Sequence, residues 1–480
     1  MNQRRAAWSL LALSLSLAHC ALTDDYRLAS DRASAAGAGV GADLDAGAGT
    51  SVVAGGSGGH AAGGASGTVG AQAGAAAEAG ATAEAGAGGC SPSCAGEQIC
   101  CGESCVDTSS DAQNCGSCGQ ECVVGRSCSS GACVGWATVA DPPAGFVGRN
   151  KAASTAMGGD VFIWGGADAI GTVFDTGAIY SPSSNSWITV VKDAHTPTPR
   201  ILATALWTGS VVIVFGGTDV ANTTSLNDGA AYDPVAKAWS QLPAGINRRS
   251  APLAFWDGES ALFCGGTNSS GAAVAGCDRF DLTTWTTSND KGDPGAIAAP
   301  ATAFDGGTLY LQGGLIGNAF QDGAATYTNR TDTWGDLNRS LSARSNAFGA
   351  WDGSHFLVWG GRDSVMPRSD GAYLVGSTWT PMTAIGAPSA RLATVRDSGW
   401  VFAIRPGVIA IVGGQTALNG TLAHDGATYE ASANAWEAIP TWPSNEDHRN
   451  GIGVWTGSEF VLWSGRSGGA PTTTGERLAF

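Results

Sequence analysis

Charged residues make up only 14% of this 480-residue sequence, and apolar runs long enough to span a membrane are missing beyond the N-terminus. Lys and Arg total 25 against 41 Asp and Glu, without a basic cluster. Nucleic acid is therefore not expected as a partner, because phosphate binding requires clustered Lys and Arg. The sequence also has no glycine-rich phosphate loop, nucleophile elbow or His-Glu zinc motif. We predict no catalytic residue, metal ligand or cofactor.

Glycine and tryptophan are abundant instead, with 72 Gly and 17 Trp. Many tight turns joining short, aromatic-rich strands account for this mixture, whereas a helical protein needs more Leu, Glu, Lys and Arg at helical spacing. The sequence therefore predicts an all-β fold.

The first residues have the pattern of an export signal. Arg4 and Arg5 precede an apolar run, and the segment ends in SLAHC. This ending resembles a bacterial lipoprotein lipobox, which implies a signal peptide at 1–19, lipidation of Cys20 and a lipid anchor in the outer membrane or cell surface. An ordinary secretory signal, giving a secreted protein, is the alternative. Residues 20–89 are rich in Ala and Gly and are expected to form a disordered tether.

A cysteine-rich module is predicted at 90–134. Ten cysteines with almost no apolar core require cross-links, and export favours disulfides over a zinc site. These residues are Cys90, Cys94, Cys100, Cys101, Cys105, Cys115, Cys118, Cys122, Cys128 and Cys133. The run CCGESCVDTSSDAQNCGSCGQEC resembles modules of the plant stigma-specific type. A stiff stalk is the expected role.

Residues 135–480 contain a repeat of roughly 50 residues. Gly-Gly pairs close apolar runs at 165, 216, 265, 313, 360 and 413, and WSG forms a degenerate seventh copy. An aromatic follows each pair, at Tyr180, Tyr232, Phe280, Tyr327, Tyr373, Tyr429 and Phe480. A tryptophan follows six of these, at Trp187, Trp239, Trp285, Trp334, Trp379 and Trp436. The pattern resembles kelch repeats and implies a seven-bladed kelch-type β-propeller with its aromatics packed between blades.

The last copy ends in GERLAF, before its tryptophan. The missing residue is Trp136, which precedes the first unit and has no strands of its own. We therefore predict that the strand around Trp136 pairs beside GERLAF and closes the ring, since closure removes two exposed edges. A local disulfide between Cys264 and Cys277 is also predicted.

Six blades carry an arginine where the first strand begins: Arg149, Arg200, Arg249, Arg344, Arg391 and Arg449. We interpret these residues as a ligand-binding ring at one mouth of the central channel. The alternative, which the repetition favours because a site needs only a few such residues, is a structural arginine bonded to the backbone or to recurring aspartates, which are Asp175, Asp228, Asp322, Asp370 and Asp425.

Two further groups of residues leave alternatives open. Asp168, Asp219 and Asp363 follow glycine pairs and either cap turns or bind calcium. The histidines at 195, 355, 424 and 448 are too few for the copper site of galactose-oxidase-like kelch enzymes. We expect a surface protein that binds a protein or carbohydrate. A sugar-modifying enzyme of mutarotase or galactose-oxidase type, and a structural protein without a ligand, are the alternatives.

Overall fold

A computed structural model describes residues 90, 94–221, 223–339, 341–393, 399–418, 420–444 and 446–480. The predicted signal peptide, Cys20 and the tether lie outside the described residues. Within them the fold is all-β, and a single 3-10 turn, Asn329–Thr331, is the one helical element. No helix in these ranges is both long and apolar enough to cross a membrane.

Seven sheets, here called blades 1 to 7 in chain order of their first strands, form the propeller. Blade 1 contains strands Ala153–Met157, Asp160–Trp164, Gly177–Ser181 and Ser186–Val190. Blade 2 contains Thr204–Trp207, Val212–Phe215, Gly229–Asp233 and Ala238–Gln241. Blade 3 contains Leu253–Trp256, Ala261–Cys264, Cys277–Phe280 and Trp285–Thr287. Blade 4 contains Ala301–Phe304, Thr308–Gln312, Ala324–Thr328 and Thr333–Leu337.

Blade 5 contains Phe348–Trp351, Phe356–Trp359, Gly371–Val375 and Thr378–Pro381. Blade 6 contains Gly399–Arg405, Val408–Gly413, Gly426–Glu430 and Ala435–Ile439. Blade 7 contains Ile452–Trp455, Glu459–Trp463 and Gly475–Ala479, and its fourth strand is Ala132–Thr138. A fifth strand, Ser127–Ser129, pairs with the outer side of the fourth. Short hairpins pair Leu315–Ile316 with Ala319–Phe320 and Arg466–Ser467 with Ala470–Pro471.

The strand at Trp136 closes the propeller, as predicted. It runs antiparallel to the last strand and places Trp136 opposite Leu478. The indole N–H of Trp136 donates to the carbonyl of Pro440, 2.8 Å away, in the connection that leaves blade 6. Blade 7 is therefore assembled from the two ends of the propeller.

The same indole bond recurs at every junction between blades. Each repeat tryptophan donates to a carbonyl just after the fourth strand of the preceding blade. The other six pairs are Trp187 with Ala140, Trp239 with Val191, Trp285 with Pro243, Trp334 with Asn289, Trp379 with Asn338 and Trp436 with Thr383. The repeat tryptophans therefore join neighbouring blades as well as filling the space between them.

Burial distinguishes the strands of a blade. In most blades the second strand is apolar and almost entirely buried, as in Val212–Phe215, because it lies in the middle of a sheet that is covered by two neighbours, whereas Thr308–Gln312 of blade 4 is only partly buried. The fourth strand is the outer edge, and Ser186–Val190 exposes most of its residues. First strands approach each other at five of the seven junctions, as those of blades 1 and 2 do, so the first strands line the centre.

The cysteine-rich module contains five disulfides and the hairpin Ile99–Cys101 with Ser104–Val106. The disulfides are Cys90–Cys100, Cys94–Cys105, Cys101–Cys118, Cys115–Cys128 and Cys122–Cys133. A sixth, the propeller disulfide Cys264–Cys277, joins directly opposite residues of the second and third strands of blade 3.

The module is attached to blade 7 by more than the chain. The fourth strand of this blade starts inside the module, one residue before Cys133. Arg126 of the module donates to Glu459, 3.0 Å away, and Arg477 of the last strand lies 3.3 Å from the same carboxylate. This buried cluster, together with the shared strand, holds the module against the propeller.

Candidate functional site

Five of the six predicted arginines are fully buried, so they do not form an exposed ring at the channel mouth. Each guanidinium of these five donates to the carbonyl of the first glycine in the Gly-Gly pair of its own blade, at 2.6–3.1 Å. The five are Arg149, Arg200, Arg249, Arg344 and Arg391. Their N–H groups are used inside the blade, and a ligand cannot reach a side chain with no exposed surface.

Aspartates complete three of these arginine sites. Arg200, Arg344 and Arg391 pair with Asp228, Asp370 and Asp425 at 3.0, 2.7 and 3.0 Å. These contacts favour the interpretation in which the arginines are structural residues bonded to the backbone and to recurring aspartates.

The remaining arginines have other partners. Arg249 pairs with Asp278, which is fully buried and was not expected from the sequence. Arg149 has no carboxylate partner within the described residues; its guanidinium carbon lies 3.8 Å from the centre of the Phe146 ring. Burial lowers the pKa of Arg149 to about 9. Asp175 lies one residue too early in the loop to reach Arg149 and pairs with Lys192 instead.

In blade 7 the position of the buried arginine is occupied by a histidine. His448 is fully buried, and its Nδ1 lies 2.6 Å from the carbonyl of Ser464, the residue equivalent to the first glycine of the pair. Its Nε2 lies 3.1 Å from Glu476 of the third strand. Arg449 is the next residue along the chain and is partly exposed, 3.6 Å from Asp447. The sequence alignment of the repeat was therefore wrong by one residue at this blade.

The propeller histidines do not share one site. His355 pairs with Asp352 in the hairpin between the first and second strands of blade 5. His424 stacks on Trp442 and lies 3.2 Å from Asp447, and the buried His448 meets the same indole edge-on, with ring centres 6.2 Å apart. Among the described residues, the groups of three potential metal ligands consist of cysteines already joined in disulfides, at 90, 94 and 100 and at 115, 122 and 133.

The loops between second and third strands all emerge at one end of the propeller, here called the loop face. Asp168, Asp219 and Asp363 begin three of these loops, and each carboxylate accepts backbone N–H groups two to five residues ahead. In Asp363 these bonds, from Met366 and Val365, hold the carboxyl pKa below its usual range. These are turn-capping contacts, which order the loops from within.

Aliphatic side chains stand exposed at the tips of five of the seven loops. They are Ile170, Val220, Ile316, Val365, Met366 and Leu418. Ile170 is 86% and Val365 69% exposed, although such side chains are ordinarily buried. These residues were missed in the sequence, where Ile170, Val220 and Val365 are marked by their place one or two residues after a capping aspartate and the others have no such signal.

The loop face lies at the opposite end of blade 7 from the module. The second strand of that blade ends at the loop face, and Arg126 of the module contacts its other end, at Glu459. The propeller therefore presents its capped, aliphatic loops on the side that the module leaves uncovered. An exposed apolar surface held by ordered loops is suited to binding a macromolecule.

Two family models match parts of the chain. Residues 135–314 match the KLHDC2/KLHL20/DRC7 Kelch-repeats domain, from the closing strand to the Gly-Gly pair of blade 4. Residues 79–136 match the stigma-specific STIG1-like protein family. A comparison with curated proteins found no match to this chain. The kelch-type propeller and the disulfide-rich module are thus supported by both the matches and the structure, and kelch propellers generally bind proteins.

Proposed function

We propose that this chain is an exported surface protein that binds a macromolecular partner, most simply a protein, through the loop face of its propeller. The observation that carries this proposal is the set of exposed aliphatic side chains on five loops that emerge at one face. Three of these loops are held by aspartate caps. Because the loops are already ordered, binding does not incur the entropic cost of ordering them.

The six disulfides support export, since such bonds persist in oxidising compartments. We further propose that Cys20 is lipidated and that residues 20–89 tether the module and propeller to a membrane surface. The anchor is tested by labelling with radioactive palmitate. We expect label on the wild-type chain and release of unlabelled Cys20→Ser into the medium; unlabelled wild type would refute the anchor and leave the binding proposal intact.

Binding is tested with the purified full chain, fluorescently labelled and titrated onto envelopes of the cells that produce it. We expect saturable retention that protease treatment of the envelopes abolishes. Loss after glycosidase treatment alone would instead indicate a carbohydrate partner. Absence of saturable retention would contradict the proposal.

Variants decide whether the loop face is responsible. The double variant Val365→Asp with Met366→Asp places two charges at one loop tip and should weaken retention by about tenfold or more, which corresponds to about 1.4 kcal/mol. Val235→Asp is the matched control, because Val235 is 90% exposed in a turn between third and fourth strands, away from the loops. Equal retention of wild type, control and double variant would exclude this part of the face.

A further inference from the structure

A ring of backbone hydrogen bonds joins the blades around the channel. In six blades the residue two places after the arginine position has a positive φ of 49–57°, and these residues are Lys151, Leu202, Ala251, Ala299, Asn346 and Asn450. The N–H at this position donates to the equivalent carbonyl of the preceding blade. The bonds are Lys151 to Asn450, Leu202 to Lys151, Ala251 to Leu202, Asn346 to Ala299 and Ala393 to Asn346.

Within the described residues, the ring is interrupted between blades 3 and 4 and between blades 6 and 7. A second pair of backbone bonds is also missing at both interruptions among the described residues. Between blades 2 and 3, Gly217 donates to the carbonyl of Arg249, and Arg249 donates to Leu226. The equivalent groups between blades 3 and 4, at Gly266, Val274 and Ile297, form no such bonds across the junction.

Two substitutions within the repeat explain why blades 3 and 4 separate. Ile297 occupies the position of the buried arginine. Cys264 occupies the position where Trp164, Phe215, Trp359 and Trp463 contact the tryptophan of the next blade. The propeller disulfide thus replaces a bulky aromatic. A Cβ added at Gly216 would meet the carbonyl of Arg249 at 2.4 Å, but one added at Gly265 would meet nothing within 4 Å.

The other interruption is filled by the protein itself. Trp400, in the first strand of blade 6, packs so closely on Gly453 of blade 7 that an added Cβ would lie 2.3 Å from the indole. Trp400 is buried and occupies the junction itself, and the neighbouring space that Trp400 and Gly453 line is shared with residues of blades 1 and 2 on the central channel. Between blades 3 and 4 no side chain of the described residues takes this role, and a cleft results that is open to solvent and is also lined by Phe348 of blade 5 and Val401 of blade 6 on the central channel.

The cleft has apolar walls and unpaired polar groups. Leu253, Ile297, Leu311, Phe348 and Val401 supply apolar surface. The backbone groups freed at the junction line the same space. Thr267 also lines the cleft.

Thr267 is 3% exposed, and its hydroxyl is one of the buried polar groups without a hydrogen-bond partner among the described residues. An unpaired buried hydroxyl costs free energy, and a ligand recovers that free energy by bonding to Thr267 only if its binding displaces the groups that now cover the hydroxyl. Its counterpart in blade 2, Thr218, is bonded to Ser250 at 2.9 Å, whereas the residue equivalent to Ser250 at the next junction is Ala298, which has no hydroxyl to offer Thr267.

We propose that the cleft between blades 3 and 4 binds an extended peptide segment that inserts one apolar side chain. Main-chain N–H and C=O groups on both sides of the opened junction match the alternating donors and acceptors of a peptide, and the apolar walls accept its side chain. This proposal deepens the proposed function, on which it rests, by placing a second contact with the protein partner beside the channel.

The probe is a heptapeptide selected from a random phage-displayed library on the full chain and then synthesised with a fluorophore. Ile297→Arg restores the repeat arginine in the cleft and should weaken peptide binding at least tenfold in fluorescence anisotropy. Thr267→Val keeps the shape and removes the hydroxyl, and it should weaken binding several-fold. Thr218→Val is the matched control and should bind as the wild type does. Thermal unfolding of each variant verifies its fold.

The outcomes separate this proposal from the proposed function. Failure to select any peptide, or binding that both cleft variants leave unchanged, would overturn the peptide site. Glycan binding abolished by Ile297→Arg, without peptide binding, would overturn the ligand class. If the cleft variants keep full retention on envelopes while the Val365 and Met366 double variant loses it, the result supports partner binding through the loop face and shows that the cleft does not contribute to it.

Discussion

Trp136 is the residue whose replacement tests closure of the propeller. Its side chain is 5% exposed and packs edge-on against Trp442 and Phe460, with ring centres 6.2 and 6.5 Å away. Trp136→Ala removes this packing and the bond to Pro440. Large aromatic-to-alanine changes in cores cost about 3–5 kcal/mol, and we expect a loss in this range.

The expected change in melting temperature follows from the size of the domain. Unfolding entropy is about 2.1 cal/mol/K per residue, so roughly 350 residues give about 0.7 kcal/mol/K. The loss of about 3–5 kcal/mol then lowers the melting temperature by about 4–7 °C. Trp136→Phe keeps a ring in place but loses the indole N–H, and about 1 kcal/mol, or 1–2 °C, is expected.

Differential scanning calorimetry of the full chain measures these shifts. A chain that begins at Ala140 lacks the whole fourth strand of blade 7, so Gly475–Ala479 becomes an exposed edge that favours aggregation. We expect this shorter chain to melt lower than Trp136→Ala or to precipitate. A melting temperature within 1 °C of the wild type, for Trp136→Ala or for the chain that begins at Ala140, would refute the closure argument.

Three further predictions concern buried polar groups and cross-links. Arg344→Met removes the buried guanidinium that bonds to the carbonyls of Ser342 and Gly360 and leaves Asp370 paired with Arg368 alone, and it should cost about 3 kcal/mol in urea unfolding, whereas Arg339→Met, at an exposed ion pair, should cost less than about 1 kcal/mol. Burial lowers the pKa of His448, but the hydrogen bond and charge of Glu476 raise it more, so the net pKa lies above the usual 6.5. The protonated histidine therefore stabilises the fold below pH 6.5, and this contribution is lost as the pH rises through the folded pKa; thermal scans should show it, and His448→Gln should abolish it. Replacing both cysteines of the propeller disulfide by alanine should cost about 3 kcal/mol in urea unfolding, and an unchanged midpoint would contradict the cross-link.

Counting the repeat correctly predicted the closure of the ring. Seven candidate third-strand aromatics but six following tryptophans required a fourth strand from elsewhere, and Trp136 was the unpaired candidate. Two of the candidates were wrong, because Leu374 and Leu478, rather than Tyr373 and Phe480, lie opposite the tryptophans of blades 5 and 7. The deduction succeeded because a closed propeller needs a complete set of strands in every blade, so a strand missing at one end of the repeat must be supplied by the other end.

The arginine positions show where the same counting failed. In blade 7 the sequence pattern predicted Arg449 because the other blades have arginine at this position. The neighbouring residue, His448, is the one that occupies the buried position and contacts the carbonyl of Ser464. The spacing of the other five arginines could not show that they are buried, because the side chain of a charged residue before a strand can point either to solvent or into the blade. Its direction depends on carbonyls contributed by glycines some 16 residues away in most blades.

The sequence by itself determined the fold class, the number of blades and the closing strand, because these depend on periodic patterns of glycines, aromatics and apolar runs along the chain. Only the tertiary structure decided which polar residues are buried, which loops share a face and where two blades separate. Those features depend on distances between residues far apart in the chain. Cys264 and Ile297 are individually unremarkable in the sequence, and their joint effect, the cleft, exists only where blades 3 and 4 meet.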